Sequence, residues 1–70
     1  MKYLVVFEPT GTGRSAYSPD LPGCVSTGAT CEEIERNMRE AIELHLEGLR
    51  AEGYPVPEPC ASSAYIETSA

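Results

Sequence analysis

The stretch TCEEIERNMREAIELHLEGLRAEG, residues 30–53, predicts a long amphipathic helix. Thr30 and Glu33 have the spacing of a capping box, in which the threonine side chain accepts from a backbone N–H in the first turn. Gly53 predicts the end of the helix, because glycine readily adopts the left-handed conformation that follows a last turn. We therefore expect a helix over 31–52. Its apolar stripe recurs at three- and four-residue steps, with two leucines beside it: Ile34, Met38, Ala41, Ile42, His45 and Leu49, flanked by Leu44 and Leu46.

Three short strands are predicted before the helix. Residues 2–8 are apolar on both faces, with Tyr3, Val5 and Phe7 on one side and Leu4 and Val6 on the other. Residues 14–18 and 24–27 predict the second and third strands. The connections PTGTG and PDLPG are short and rich in glycine and proline, which is typical of tight turns. Short loops of this kind join antiparallel neighbours, so the three strands form a meander.

A fourth strand is predicted after the helix. Residues 54–59 form a proline-rich extended linker, and residues 60–68 alternate weakly between apolar and polar side chains, as an edge strand does. A right-handed crossover can place this strand parallel to strand one. The expected fold is thus α+β, in the order β-β-β-α-β, as a single domain over residues 1–70.

The sequence also predicts self-association. A chain of 70 residues buries too little surface for a robust core of its own. The helix covers one face of the sheet, and an uncovered apolar face implies a partner. We expect a dimer or tetramer that uses Leu4 and Val6 of that face and Tyr65 of the edge strand.

Composition narrows the functional classes. The formal charge of −6 argues against binding nucleic acid or an anionic membrane through a basic face, although acidity also serves simple solubility. No apolar run approaches the length of a membrane span, and the N-terminus does not resemble a signal peptide. Three cysteines and one histidine make a disulfide framework or a zinc site improbable, so we expect free thiols, a cytoplasmic location, and no metal or cofactor.

The sequence matches the motifs of known enzyme classes poorly. The GTG at 11–13 lacks the third glycine of a phosphate-binding loop, and His45 lies on the apolar helix stripe, where a lone histidine is usually a core residue. Spacing alone leaves open a pairing of His45 with a cysteine nucleophile. The strand order suggests a two-metal nuclease of the ribonuclease H type, but such a site needs carboxylates in the middle of strand one, which reads Leu4-Val5-Val6. We expect no catalytic residues and keep a minimal metal-dependent nuclease as a disfavoured alternative.

The turn between strands two and three is a candidate docking surface. Proline fixes its backbone at two positions, and it displays Tyr17, Asp20, Leu21 and Pro22. In the competing interpretation Asp20 only shapes the turn and Leu21 fills one end of the core. Both interpretations stay open at this point.

These residues carry a resemblance to the HicB-like antitoxin family. The matching segments are SAYSPDLPGCVSTG (15–28), the helix positions Thr30, Glu32, Glu33, Asn37 and REAIEL (39–44), and the exit PVPEP (55–59). The resemblance implies a partial ribonuclease H-like domain without catalysis, which binds and neutralises a small HicA-like toxin, an mRNA interferase. Many members carry a C-terminal DNA-binding segment; this chain stops at Ala70, so no direct nucleic-acid binding is expected. Cys31 stands where the family usually has an aliphatic residue.

The charge distribution is compatible with that role. Residues 32–58 hold eight acidic and three basic side chains, a net charge of −5. An RNA-cleaving toxin must present a basic surface to phosphate, so an acidic helix face could steer the two proteins together. Glu43 and Glu47 are the candidate contacts on this face. The alternative is a self-associating acidic protein without a toxin partner.

Overall fold

The computed structural model describes residues 1–69 and contains a three-stranded sheet packed against one helix. The strands are β1 (Val6–Pro9), β2 (Arg14–Tyr17) and β3 (Val25–Gly28), and the helix is α1 (Cys31–Ala51). The strands pair antiparallel in the order β1-β2-β3. This arrangement confirms the predicted α+β meander, although β1 begins four residues later than expected.

The strand register divides the sheet into two faces. Val6 pairs with Tyr17, and Tyr17 pairs in turn with Val25. Directly opposed residues point to the same side of a sheet, so these three side chains share one face. Phe7 and Ala16 form the adjacent pair and point to the other face, where Ala16 is buried in the core beneath the helix.

Local chemistry sets both ends of α1, as the sequence predicts. At the start, the Glu33 amide donates to Thr30 Oγ1 over 3.1 Å. At the end, Gly53 has φ of 76°, its amide donates to Arg50 O, and the Tyr54 amide donates to Leu49 O. These two bonds constitute a Schellman motif, which satisfies carbonyls that the last turn would otherwise leave unpaired.

The buried core is small and lies between the helix and the strands β2 and β3. It consists of five buried side chains: Ala16, Leu21, Cys24, Ile34 and Met38. Further apolar side chains pack on it while partly exposed: Tyr3, Val5, Ala41, Ile42 and Leu46. The helix approaches β3 so closely that a Cβ on Gly28 would lie 2.8 Å from the Ile34 amide nitrogen.

The chain after the helix differs from the prediction, because residues 60–68 form no strand. Two contacts hold the first part of this segment across the end of the sheet. The Tyr3 hydroxyl donates to Pro57 O over 2.6 Å, and the Asp20 carboxylate accepts from the amides of Cys60 and Ala61 at 3.0 Å each. The backbone amides of Cys60 and Ala61, which could otherwise pair with a neighbouring strand, thus donate to the Asp20 side chain. Residues 1–69 thus contain three strands, and the predicted fourth strand and ribonuclease H-like topology are not confirmed.

No helix within residues 1–69 is long and apolar enough to cross a membrane.

The contact at Gly28 yields a prediction with an internal control. Gly28→Ala should lower the free energy of unfolding by about 1–3 kcal/mol, because the new methyl group overlaps backbone atoms of Ile34. Gly48→Ala should raise it by about 0.5–1 kcal/mol, because this helical glycine has open space around it and alanine favours the helix. Urea unfolding of the two variants measures both values. Equal effects of the two substitutions would contradict the close helix–sheet contact.

Candidate protein-binding surfaces

The solvent-facing side of α1 carries an apolar side chain among carboxylates. Leu44 is 68% exposed, and the neighbouring positions Glu40, Glu43 and Glu47 are exposed too. We refer to these four residues as the acidic helix patch. The sequence places Leu44 beside the buried stripe, but the helix is rotated so that Leu46 reaches the core and Leu44 does not. A large exposed apolar group within a charged rim is a feature of protein-binding sites.

The face of the sheet that points away from the helix is also apolar. Along the cross-strand row Val6–Tyr17–Val25, Tyr17 is 40% exposed and Val25 is 65% exposed. Leu4 precedes Val6 by two residues along the same chain segment, and both are half-buried; Leu4 also lines the groove between the N-terminal segment and α1. We call these four residues the outer sheet face. The sequence predicts Leu4 and Val6 on an uncovered face, and the register adds Tyr17 and Val25 to it.

The turn between β2 and β3 contributes to the core. Leu21 is completely buried, and the turn is closed by bonds from the Leu21 amide to Ser18 O and from the Cys24 amide to Leu21 O. The buried Ser18 hydroxyl donates to Leu4 O over 2.9 Å, which ties the turn to the first strand. Burial leaves Leu21 no side-chain surface for a partner, so the docking interpretation is corrected for this residue. The core-filling interpretation fits it.

The other predicted docking residues are distributed over the turn, the sheet and the helix. Asp20 uses its carboxylate to hold the backbone of Cys60 and Ala61. Pro22 is exposed at the turn, whereas Tyr17 belongs to the outer sheet face. Glu43 and Glu47 lie on the helix, across the sheet from Tyr17. The sequence could not reveal the role of Asp20, because the amides that it accepts lie 40 residues further along the chain.

A groove runs between the N-terminal segment and one side of α1. Its volume is about 690 Å³, and its apolar lining includes Tyr3, Val5, Met38, Ile42 and Leu46. The charged side chains at its border are Lys2, Arg39 and Arg50 together with Glu35 and Glu43. The groove exists because the helix packs over β2 and β3 and leaves the helix-facing side of β1 uncovered. We call it the β1–helix groove.

The cysteines are the nucleophilic side chains that the sequence leaves open as candidates. Cys24, Cys31 and Cys60 are free thiols, as expected from the sequence. Burial raises the pKa of the Cys24 thiol, so this cysteine is a poor nucleophile at neutral pH. Within residues 1–69, no three histidine, cysteine, aspartate or glutamate side chains lie together in a way that could hold a metal ion.

Known proteins resemble this chain over most of its length. The family model described as a HicB-like antitoxin of a bacterial toxin–antitoxin system matches residues 3–69. A UPF0150 protein of Synechocystis is 52% identical over 57 residues, which cover 80% of this chain and 72% of that protein. An uncharacterised 14.9 kDa protein of Haemophilus phage HP1 is 35% identical over 66 residues, or 94% of this chain. The chain spans only 50% of the phage protein.

A solved structure shares the fold. One chain of a HicA3 and HicB3 toxin–antitoxin complex superposes with a TM-score of 0.75 at 37% identity, covering 86% of this chain and 70% of that one. The family match therefore agrees with the resemblance carried by the turn, the helix and the proline-rich exit. The chain belongs to the HicB-like antitoxin family.

Proposed function

We propose that this protein is an antitoxin that binds and neutralises a HicA-like toxin by contact alone, without catalysis. The observation that carries the proposal is the match to the HicB-like antitoxin family over residues 3–69. The likeness to a chain from a HicA3 and HicB3 complex supports it, because that chain shares the fold and 37% of the aligned residues. The proposed partner is a small, basic RNA-cleaving protein.

The carboxylates of the acidic helix patch attract the toxin electrostatically. A toxin that cleaves RNA needs cationic side chains to bind phosphate groups. Glu40, Glu43 and Glu47 present carboxylates along one exposed side of α1. Opposite charges steer diffusional encounter and fix orientation, although exposed pairs add little affinity. The charges therefore explain how the partners meet.

Leu44 supplies the apolar contact with the toxin. Its side chain lies among the three carboxylates and is 68% exposed in the free chain, so a partner that covers it removes apolar surface from water. Interfaces usually derive most of their energy from a few such central side chains, with a polar rim that excludes water. A toxin held by this patch would have its phosphate-binding surface masked, and RNA could not bind there.

Co-expression tests the proposal. A HicA-like toxin from the same genome should arrest growth when expressed alone, and this chain should restore growth and co-purify with the toxin. The alternative of a self-associating acidic protein predicts that purification recovers only copies of this chain and that growth stays arrested. That result would overturn the antitoxin role.

Charge reversal tests the steering. The double substitution Glu43→Lys and Glu47→Lys should slow association with the toxin about tenfold or more at low salt, with a smaller effect as salt screens the charges. The matched control is Glu8→Lys with Glu58→Lys, which changes the net charge equally at exposed positions outside the patch. Stopped-flow association rates over a salt series measure the difference. Equal slowing in both double variants would show that only net charge matters and that the patch has no specific role.

Truncation of Leu44 tests the apolar contact. Leu44→Ala should raise the toxin dissociation constant about fivefold or more, mainly through faster dissociation. Because Leu44 is largely exposed, the free energy of unfolding should change by less than about 0.5 kcal/mol. Val25→Ala removes a comparably exposed apolar side chain from the outer sheet face and serves as the control. An unchanged toxin affinity in Leu44→Ala would exclude the patch as the binding site.

A further inference from the structure

The segment after Ala61 projects from the body of the protein. Residues 62–69, which we call the arm, are exposed throughout and include two large apolar side chains, Tyr65 and Ile66. The radius of gyration is 13.9 Å, whereas a compact chain of this length has about 11 Å. An extended segment that exposes a tyrosine and an isoleucine side by side has the character of a binding element without its partner.

The arm begins outside the β1–helix groove of its own chain. Pro57 contacts Tyr3, which lines the β1–helix groove. The backbone then crosses to Asp20, whose carboxylate fixes the amides of Cys60 and Ala61 outside the groove lining. The arm thus begins beyond the groove, from a point that two hydrogen bonds hold in place.

The first strand offers a matching acceptor. In the sheet order β1-β2-β3, β1 is an edge strand, and its outer side pairs with no strand among residues 1–69. Edge strands recruit an extended segment from another chain through main-chain hydrogen bonds, with specificity from pockets for alternate side chains. Here the β1–helix groove lies on one side of the edge, and Val6 lies on the other.

We propose that two copies of this chain exchange arms. The arm of each copy adds as a strand along the free edge of β1 in the other copy. The fourth strand that the sequence predicts over 60–68 then forms between chains rather than within one. The two contacts are equivalent by two-fold symmetry, so the exchange closes as a dimer.

The alternation of a strand fixes which side chains enter the groove. Tyr65 and Glu67 point to one side and Ile66 to the other. The groove border carries three basic and two acidic side chains, in a chain whose overall charge is −6. The border thus has a net charge of +1 on an acidic protein, and its arginines Arg39 and Arg50 can pair with Glu67 on that side of the arm. Tyr65 then covers the apolar lining, and Ile66 lies beside Val6.

Removal of the arm's apolar side chains tests the exchange. Analytical ultracentrifugation should find the unaltered chain as a dimer, and Tyr65→Ser with Ile66→Ser should raise the dimer dissociation constant on the order of tenfold or more. Both side chains are exposed in the single chain, so the variant should keep its helical circular dichroism. Val25→Ser is the control, since it removes exposed apolar surface outside the proposed contact and should leave the dimer intact. A monomeric unaltered chain, or a dimer that survives the arm substitutions, would overturn the proposal.

A charge swap tests the orientation of the arm. Glu67→Arg and Arg39→Glu should each weaken the dimer, and the two together should restore part of the loss, because the opposite charges meet again. Arg39 is exposed on the helix at the groove border, so its replacement should leave the fold intact. Additive weakening in the double variant would contradict a contact between Glu67 and this border.

Isotope-filtered NMR on a mixture of labelled and unlabelled chains identifies where the arm binds. We expect contacts between the Tyr65 ring of one copy and the Ile42 methyl groups of the other. The same contacts within a single copy would show that each arm occupies its own groove, and the exchange would be wrong. None of these measurements includes a toxin, so their outcome is independent of the antitoxin proposal.

Discussion

The contact between α1 and β3 is the constraint on which the rest of the structure depends. Ile34 and Met38 are almost completely buried, and the first of them lies so close to Gly28 that only a residue without a side chain fits there. With five residues in its buried core, the chain has little other packing to hold the helix in place. The position of every exposed side chain of the helix follows from this single contact.

The helix lies to one side of the sheet, and this offset generates the surfaces described above. Because α1 packs on β2 and β3, the helix-facing side of the first strand stays open and becomes the wall of a groove. The same placement turns Leu44 and its neighbouring carboxylates outward. One short chain thus presents two different surfaces on its helix, an acidic one to solvent and an apolar one with a border of mixed charge beside β1, and Glu43 lies where the two meet.

The sequence predicts best what local chemistry determines. Thr30 and Gly53 place the helix ends to within one residue, because caps depend on neighbours only a few positions away. The three-stranded meander is predicted equally well, because short turns leave few ways to arrange consecutive strands. Long-range contacts cannot be predicted from the sequence in this way. The role of Asp20 depends on an amide 40 residues away. The rotation that exposes Leu44 and packs Leu46 against the core depends on how the helix lies on the sheet. Residues 60–68 likewise form no strand despite their alternation, and the Asp20 carboxylate accepts from the backbone amides of Cys60 and Ala61 at their start.

The placement of Leu44 among glutamates also determines which surfaces this leucine cannot join. Two copies that brought their Leu44 side chains together would bring six like charges into the same dehydrated space, and that repulsion opposes self-stacking at this site. An exposed leucine without charged neighbours could pack against any apolar surface. With carboxylates at three neighbouring positions, it becomes selective, because a cationic surface can cover it without the electrostatic penalty that an acidic surface incurs.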